Sequence, residues 1–425
     1  PDHARAYIMR LTPGPLPGMP PIAVPPARLP TGGVAAALAS LLLLSPLQMI
    51  APPALQTQVV QAKELASGSG SKVNKDPLSL LRLGLPGQPK EIRELQAGFE
   101  ESQDQLSRLL FSKASDGLGK ARGVLNGKKD AILKKVPGPS QAAATSLLAS
   151  LDEKSGQIAQ LIASKDVTGA TEVQNQALAD LSKLEELIAA DTKPVSVPSE
   201  FDNLPRLNKR AVVEFTVKKP PGEQFDIDGN LFKEGKLRMQ IDGYTAPLTS
   251  GNFVDLVRRG FYDGMKIQRS DGFVVQTGDA AQAGRGKETG FVEGGKVRNV
   301  PLEVYVKGDK GPIYGTTFDD DGRGGYAAQL PFNAYGALGM AREEYNMDSA
   351  SSQFFWLLFD SDLTPAGKNL LDGRYSCFGY TVDGARFLSD LKEGDIIESA
   401  KVVEGLENLI QPARAAAAEP AAEGA

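Results

Sequence analysis

Between Lys266 and Asp279 the chain reads K-I-Q-R-S-D-G-F-V-V-Q-T-G-D. Within this stretch stand a cation (Arg269), an aromatic (Phe273) and an amide (Gln276). Together they make a small kit for gripping a peptide. Arg brings a fixed fork of donors that does not lose its proton, Phe an apolar wall, and Gln a group that both donates and accepts hydrogen bonds. The pattern predicts two short strands, Met265–Arg269 and Phe273–Thr277, joined by a tight turn at Ser270-Asp271-Gly272. Gly accepts positive φ without steric cost, so Asp-Gly between apolar runs marks a hairpin.

Scarcity closes other chemistries. The 425 residues contain one His, His3, and one Cys, Cys377. A body without His cannot build a His triad or a His zinc site, and one Cys cannot make an intrachain disulfide framework or a Cys metal cluster. With 47 Lys and Arg against 52 Asp and Glu, net charge is -5, and no basic stripe stands out. Nucleic acid is therefore not an expected partner. Asp226-Ile227-Asp228-Gly229-Asn230 resembles part of a calcium loop but lacks its later Glu, and reads as a turn. Gly284-Arg285-Gly286-Lys287 lacks the first Gly and the final Ser or Thr of a phosphate loop. The acidic loop within Tyr314–Gly325 reads as a solvated turn. No metal and no cofactor is expected.

The elements that must hold the kit follow from hydrophobic periodicity. Residues 1–62 are Pro-rich and acid-poor, with an apolar run at Val34–Leu44. That run is shorter than the ~20 residues of a membrane span. It fits the apolar part of an export signal behind an organelle-import leader, an address of the thylakoid-lumen kind. Residues 63–76 read as a flexible linker. Over 77–190, apolar residues recur at helical spacing in four series, around Ile92–Leu110, Leu118–Val136, Leu147–Ile162 and Val173–Ile188. They predict an antiparallel bundle of about four helices with no chemistry of its own, an interaction or regulatory module. Residues 191–208 hold three prolines and read as an extended linker. From Lys209 the period changes to 2, as in Val213, Phe215, Val217 and Leu237, Met239, Ile241. The many short strands and only two short helices, Thr245–Gly260 and Asp383–Leu391, predict a closed β-barrel with two capping helices over 209–406. Residues 407–425 read as a disordered tail.

Three blocks then carry a resemblance: F-Y-D-G-M-K-I-Q-R-S-D-G-F-V-V-Q-T-G-D, then G-M-A-R with S-S-Q-F-F-W, then L-D-G-R-Y-S-C-F-G-Y. In this order they resemble the signature blocks of the cyclophilins, barrel proteins that catalyse prolyl cis-trans isomerisation. With its leader, bundle and linker, the chain resembles the multidomain cyclophilins of the thylakoid lumen, which implies a role in photosystem II assembly and maintenance. The resemblance implies Arg269 as the catalytic arginine. It implies Phe273, Val274, Phe355 and Leu371 as pocket walls, and Gln276 and Gln353 as polar contacts. Three implied substrate-binding positions depart from the family: Arg342 stands for the usual Asn, Leu370 for a Trp that also binds cyclosporin-type inhibitors, and Tyr375 for a His. Val274 stands for a Met, and the turn after Arg269 is one residue short.

The expected partners are proline-containing client segments, with photosystem II subunits implied and membrane association only through clients. A bundle docked on the barrel, covering the site, is a further expectation. The departures leave a second reading open, a non-catalytic assembly chaperone or scaffold that binds proline peptides under control of its bundle.

Overall fold

The computed structural model describes residues 73–359 and 369–412. The leader expected over 1–62, most of the linker expected over 63–76, and residues 413–425 of the expected tail lie outside the described residues.

The bundle comprises α1 (Pro77–Gly84), α2 (Lys90–Ser107), α3 (Phe111–Gly127), a single turn α4 (Lys129–Leu133), α5 (Gln141–Ala163) and α6 (Val167–Ala189). The four long helices carry the four predicted stripes. Their core unites Leu95, Phe99, Leu118, Leu151, Ile158 and Leu181. Helices α2 and α3 meet almost backbone to backbone. A Cβ on Gly98 would stand 2.7 Å from the Ala121 nitrogen, and one on Gly117 would stand 2.8 Å from the Ser102 nitrogen. Leu109 and Leu110, expected in the first stripe, are exposed instead. The chain reverses there, with Leu109 at φ 59° and the Leu110 N–H closing on the Gln105 carbonyl. Helix α1 was not among the expected four. Asp76 caps it through the Leu78 and Ser79 N–H groups, and Pro77 occupies its first turn.

The C-terminal domain is built on eight antiparallel strands. They are β1 (Arg210–Lys218), β2 (Glu234–Asp242), β3 (Arg269–Ser270), β4 (Val274–Thr277), β5 (Ala337–Met340), β6 (Phe354–Leu357), β7 (Cys377–Asp383) and β8 (Ile396–Glu404). Their order is β8-β1-β2-β7-β5-β6-β4-β3. The expected closed barrel is thus corrected to a curled, open sheet whose two ends are β8 and β3. β3 is only two residues long, and it is the segment just before it, residues 264–267, that meets β8. Between the ends stand an isolated bridge, Lys266–Ile396, and main-chain bonds such as Ile397 N–H to the Met265 carbonyl, 2.7 Å.

The second expected helix is also corrected. Ala385–Asp390 is a 3-10 stretch of six residues that starts after Gly384, at φ 76°, without a side-chain cap. The first is a true α-helix, α7 (Pro247–Arg258), which buries Phe253, Leu256 and Val257 in the core. Its N-cap residue, Ala246, offers no side-chain cap. The buried Glu303 carboxylate takes the Leu248 and Thr249 N–H groups at 3.2 and 2.9 Å. Beneath the sheet Phe215, Phe253, Phe354 and Trp356 interlock, with Phe354 and Trp356 rings 4.7 Å apart. Leu409–Ile410, expected in the tail, pair with Arg206–Leu207, expected in the linker.

The bundle touches the C-terminal domain through α1 and the end of α6. Arg210 is the hub. It holds Asp242 through Nε and Nη2 at 2.8 and 2.7 Å, and Nη2 also reaches the Leu81 carbonyl at 2.6 Å. Glu186 accepts from Gln240 at 3.0 Å, and Leu85, Ala189 and Tyr244 form a small apolar seal. These contacts lie on β1, β2 and the segment after β2; none involves a residue of the expected site.

Next to this seam Glu185 is wholly buried, and neither carboxylate oxygen has a hydrogen-bond partner. Burial pushes its carboxyl from 4.5 up to about 7, against the pull of Arg82, Arg93 and Arg210 and with the push of Glu100. A folded-state value above the unfolded one contributes stability that is complete below the unfolded value and is lost as pH rises through the folded one. Stability should therefore fall between about pH 4.5 and 7. Glu185→Gln should flatten that fall and be more stable than the parent at pH 8 by about 1–3 kcal/mol. Denaturation of both proteins at pH 5 and pH 8 measures this, and identical pH slopes would contradict it.

Candidate peptide-binding site

Cross-strand register assembles the site. Arg269 pairs with Gln276, Gln276 with Phe355, Phe355 with Gly339, and Gly339 with Cys377. Directly paired residues send their side chains to the same face. Phe354 and Trp356 point into the core, so this row lies on the opposite face. Arg269 and Phe355 are two strands apart, about 10 Å. The two hairpin strands and β6 thus bring together the cation, the amide and an aromatic more than 75 residues away in sequence.

Gly339 makes room for that aromatic, because a Cβ there would stand 2.1 Å from Phe355 Cζ. Phe332 stacks on the Phe355 ring at 6.0 Å, and Tyr375 meets its edge at 5.8 Å. Phe355 is consequently only 1 % exposed. Beneath it the Phe332 N–H donates to Asp372 Oδ1 at 2.7 Å. Burial lifts the Asp372 carboxyl to about 7, against that hydrogen bond.

The amides form a second layer. Gln353 Oε1 accepts from Gln268 Nε2 at 2.6 Å and from Gln276 Nε2 at 2.9 Å. The same register leaves Gln276 Oε1 buried without a partner, an acceptor suited to an incoming N–H. On the other side of Gln353 a cleft of about 200 Å³ opens between Glu288, Asn299, Ala341, Glu343 and Ser351.

Arg269 is partly exposed and held by Asp271, Nε to Oδ2 at 2.7 Å. Phe273 packs against Phe359 with ring centroids 5.1 Å apart. Val274 and Leu371 are fully buried, while Leu370 is 51 % exposed. Arg342 is buried, with its donors committed to main chain. Nε and Nη2 reach the Arg374 carbonyl at 3.1 and 2.8 Å, and Nη1 reaches the Glu343 and Glu344 carbonyls at 2.7 and 2.8 Å. Its guanidinium also lies over the Tyr375 ring at 5.0 Å. Arg342 therefore bears on Phe355 through Tyr375.

Asp271, Gln268, Phe332 and Gly339 also shape the site, and little in the sequence marks them for it. Asp271 was legible only as a turn residue, and Gln268 only as a neighbour of Arg269. Phe332 lies in a loop with no periodic signal. In the acidic loop, Asp321 pairs with Arg323 and Asp319 with Arg374, as a solvated turn would. Among the described residues no His, Cys, Asp and Glu cluster could hold a metal ion.

Comparison with known proteins supplies the family. Residues 225–408 match the cyclophilin type peptidyl-prolyl cis-trans isomerase family. Residues 76–189 match the PsbQ-like domain of CYP38-like peptidyl-prolyl cis-trans isomerases. The chain is 42 % identical over 346 residues to the chloroplastic peptidyl-prolyl cis-trans isomerase CYP38 of Arabidopsis thaliana, covering 80 % of this chain and 76 % of that one. It is 41 % identical over 338 residues to sll0408 of Synechocystis sp., named as a thylakoid lumen peptidyl-prolyl cis-trans isomerase, covering 79 % of this chain and 84 % of that one. Among solved structures, cyclophilin AquaCyp293 from Hirschia baltica is similar over 49 % of this chain and 82 % of its own, at 21 % identity and a TM-score of 0.30. On the length and identity of the first two matches, the chain belongs to the cyclophilin-type peptidyl-prolyl cis-trans isomerases, in the CYP38-like group whose cyclophilin domain follows a PsbQ-like helical domain.

Proposed function

We propose that the chain isomerises Xaa–Pro bonds in client proteins of the thylakoid lumen, in the assembly and maintenance of photosystem II. The observation that carries the chemistry is the row Arg269–Gln276–Phe355, a guanidinium and an unpartnered amide acceptor aligned with an aromatic wall. The Xaa–Pro barrier of about 20 kcal/mol comes from broken amide resonance. A site lowers it by binding the twisted amide better than either planar form. In the twisted state the prolyl nitrogen becomes pyramidal and basic. The Nη1 edge of Arg269, turned away from Asp271, stabilises that electron pair or the carbonyl oxygen. Phe273 holds the prolyl ring against a wall backed by Phe355, and Gln276 Oε1 takes a backbone N–H of the peptide. No proton is transferred and no covalent intermediate forms.

The lumen address rests on the relatives' names and on the kind of leader read in residues 1–62. No helix among the described residues is long and apolar enough to cross a membrane. Protease-protected fractionation of native organelles tests it, with the protein expected beside lumenal markers.

A second reading has its own observation. Arg342, at the position of the usual Asn, has its donors committed to its own main chain, which suits a scaffold that holds prolyl segments without turning them over. Exchange NMR on an Ala-Pro peptide with the full chain separates the two. Cis–trans exchange faster than the uncatalysed rate supports the isomerase, and binding without acceleration supports the scaffold.

A further inference from the structure

In the row, Arg269 is paired with Asp271, two residues further along the chain. Arg269 Nε donates to Asp271 Oδ2 at 2.7 Å, and Nη2 meets the same oxygen. The other oxygen, Oδ1, accepts the N–H groups of Phe273 and Val274, both at 3.0 Å. One carboxylate therefore does two separate things with its two oxygens. It shapes the shortened turn, and it grips the guanidinium along one edge. Of the five guanidinium N–H groups, the two on Nη1 and one on Nη2 are left for a ligand.

We propose that Asp271 is a positioning residue that fixes the Nε edge of Arg269 and damps its positive field, so that the site turns prolyl peptides over more slowly than an unpaired arginine would. This rests on the isomerase reading above. A guanidinium stabilises the twisted amide through its net charge at the prolyl nitrogen or carbonyl. With a carboxylate in contact, the ligand meets a dipole, whose field falls faster with distance than that of a lone charge. The carboxylate is ionised across the physiological range. Partial burial alone would raise its pKa, yet the Val274 N–H, Arg269 and the Phe273 N–H together hold it below the usual carboxylate range. Both side chains are about a third exposed, so solvent screens the pair. The damping is consequently modest, about 3–10-fold in kcat.

The division of labour between the two oxygens permits a direct test. Asp271→Asn keeps an acceptor for the Phe273 and Val274 N–H groups and remains a good turn residue. It removes the charge and turns a donor toward Arg269. Full-length parent and variant are compared by exchange NMR on an Ala-Pro peptide, with Arg Nε–H solvent exchange recorded on the same samples. The expected result is a kcat about 3–10-fold higher with KM within about twofold, together with faster exchange of the Arg269 Nε–H. A purely structural role for Asp271 would lower kcat or raise KM instead. Unchanged or lower kcat with a freed Nε–H overturns the damping, and unchanged Nε–H exchange overturns the grip. No turnover by either protein overturns the isomerase reading and the rate effect with it, while the Nε–H exchange still decides whether the grip exists. Asp271→Ser, which also keeps a turn acceptor without charge, must repeat the result, so a folding defect of one variant does not decide the outcome.

Discussion

Arg269→Ala should lower kcat/KM for an Ala-Pro peptide by about 10²-fold, with the loss mainly in kcat. In the proposed mechanism the guanidinium acts on charge that develops only as the amide twists. Removing one such preorganised donor costs roughly 10²–10³ in other electrostatic sites, and the lower end applies here because Asp271 already offsets part of the charge. Stability should hardly change. Arg269 is partly exposed and its ion pair is screened, so the fold loses at most about 1 kcal/mol, while Asp271 Oδ1 still closes the turn on Phe273 and Val274. Peptide affinity should persist through Phe273 and the glutamines. Exchange NMR gives the rate, and thermal unfolding checks the fold. An equal loss of rate and of melting temperature would assign Arg269 to structure.

Asp242→Ala carries the largest expected effect on stability, a loss of about 3–5 kcal/mol. Asp242 is fully buried. It neutralises Arg210 and takes the Thr245 N–H and hydroxyl at 2.9 and 3.1 Å. Without it the Arg210 guanidinium is left buried beside the Leu81 carbonyl with Glu186 as its remaining counter-ion, 3.4 Å away. The cost is that of an orphaned buried charge, so it should shrink when both partners become apolar. The double variant Arg210→Met, Asp242→Leu should therefore be less destabilised than Asp242→Ala alone. Because Arg210 joins β1 to α1, Asp242→Ala should also expose α1 to proteolysis before the sheet unfolds. Denaturant unfolding and limited proteolysis read both effects. A single variant no less stable than the parent would remove Arg210 from its place as hub of the seam.

Much of this was legible in the sequence, for physical reasons that differ by element. The four long helices were legible because each keeps an apolar stripe through about three or more turns, as Leu95, Phe99 and Leu106 do in α2. Helix α1 was not, since eight residues carry too little periodicity, although Asp76, Pro77 and Gly84 mark its ends. Strands β1 and β2 were legible from clean alternation, confirmed in the burial of Val213, Phe215 and Val217. The closure of the barrel was not, because it depends on register between β3 and β8, far apart in sequence and barely paired. The 3-10 stretch at Ala385–Asp390 shares its apolar spacing with a short helix and differs only in hydrogen bonding.

In the site, Arg269, Gln276 and Phe355 could be singled out by type, but their alignment is a property of pairing. Arg342 shows the limit most clearly. The resemblance implies a substrate-binding position there, with Arg342 in place of the usual Asn. The structure commits its donors to the carbonyls of Glu343, Glu344 and Arg374, and its face to Tyr375. Nothing in the sequence marks the acceptors, because they are main-chain oxygens. Asp271 was hidden for a related reason. Its turn-forming role is enough to explain its presence, and its second oxygen becomes informative only once Arg269 is seen against it.

The most direct test of the central claim is a titration of the full-length chain with an Ala-Pro peptide, followed by NMR at assigned amide and side-chain groups. The largest shifts are expected on Arg269, Phe273, Gln276, Gln353 and Phe355, with the α1–Arg210 seam unaffected. Shifts confined to the helical bundle, or to the seam, with the Arg269–Gln276–Phe355 row silent, would contradict it.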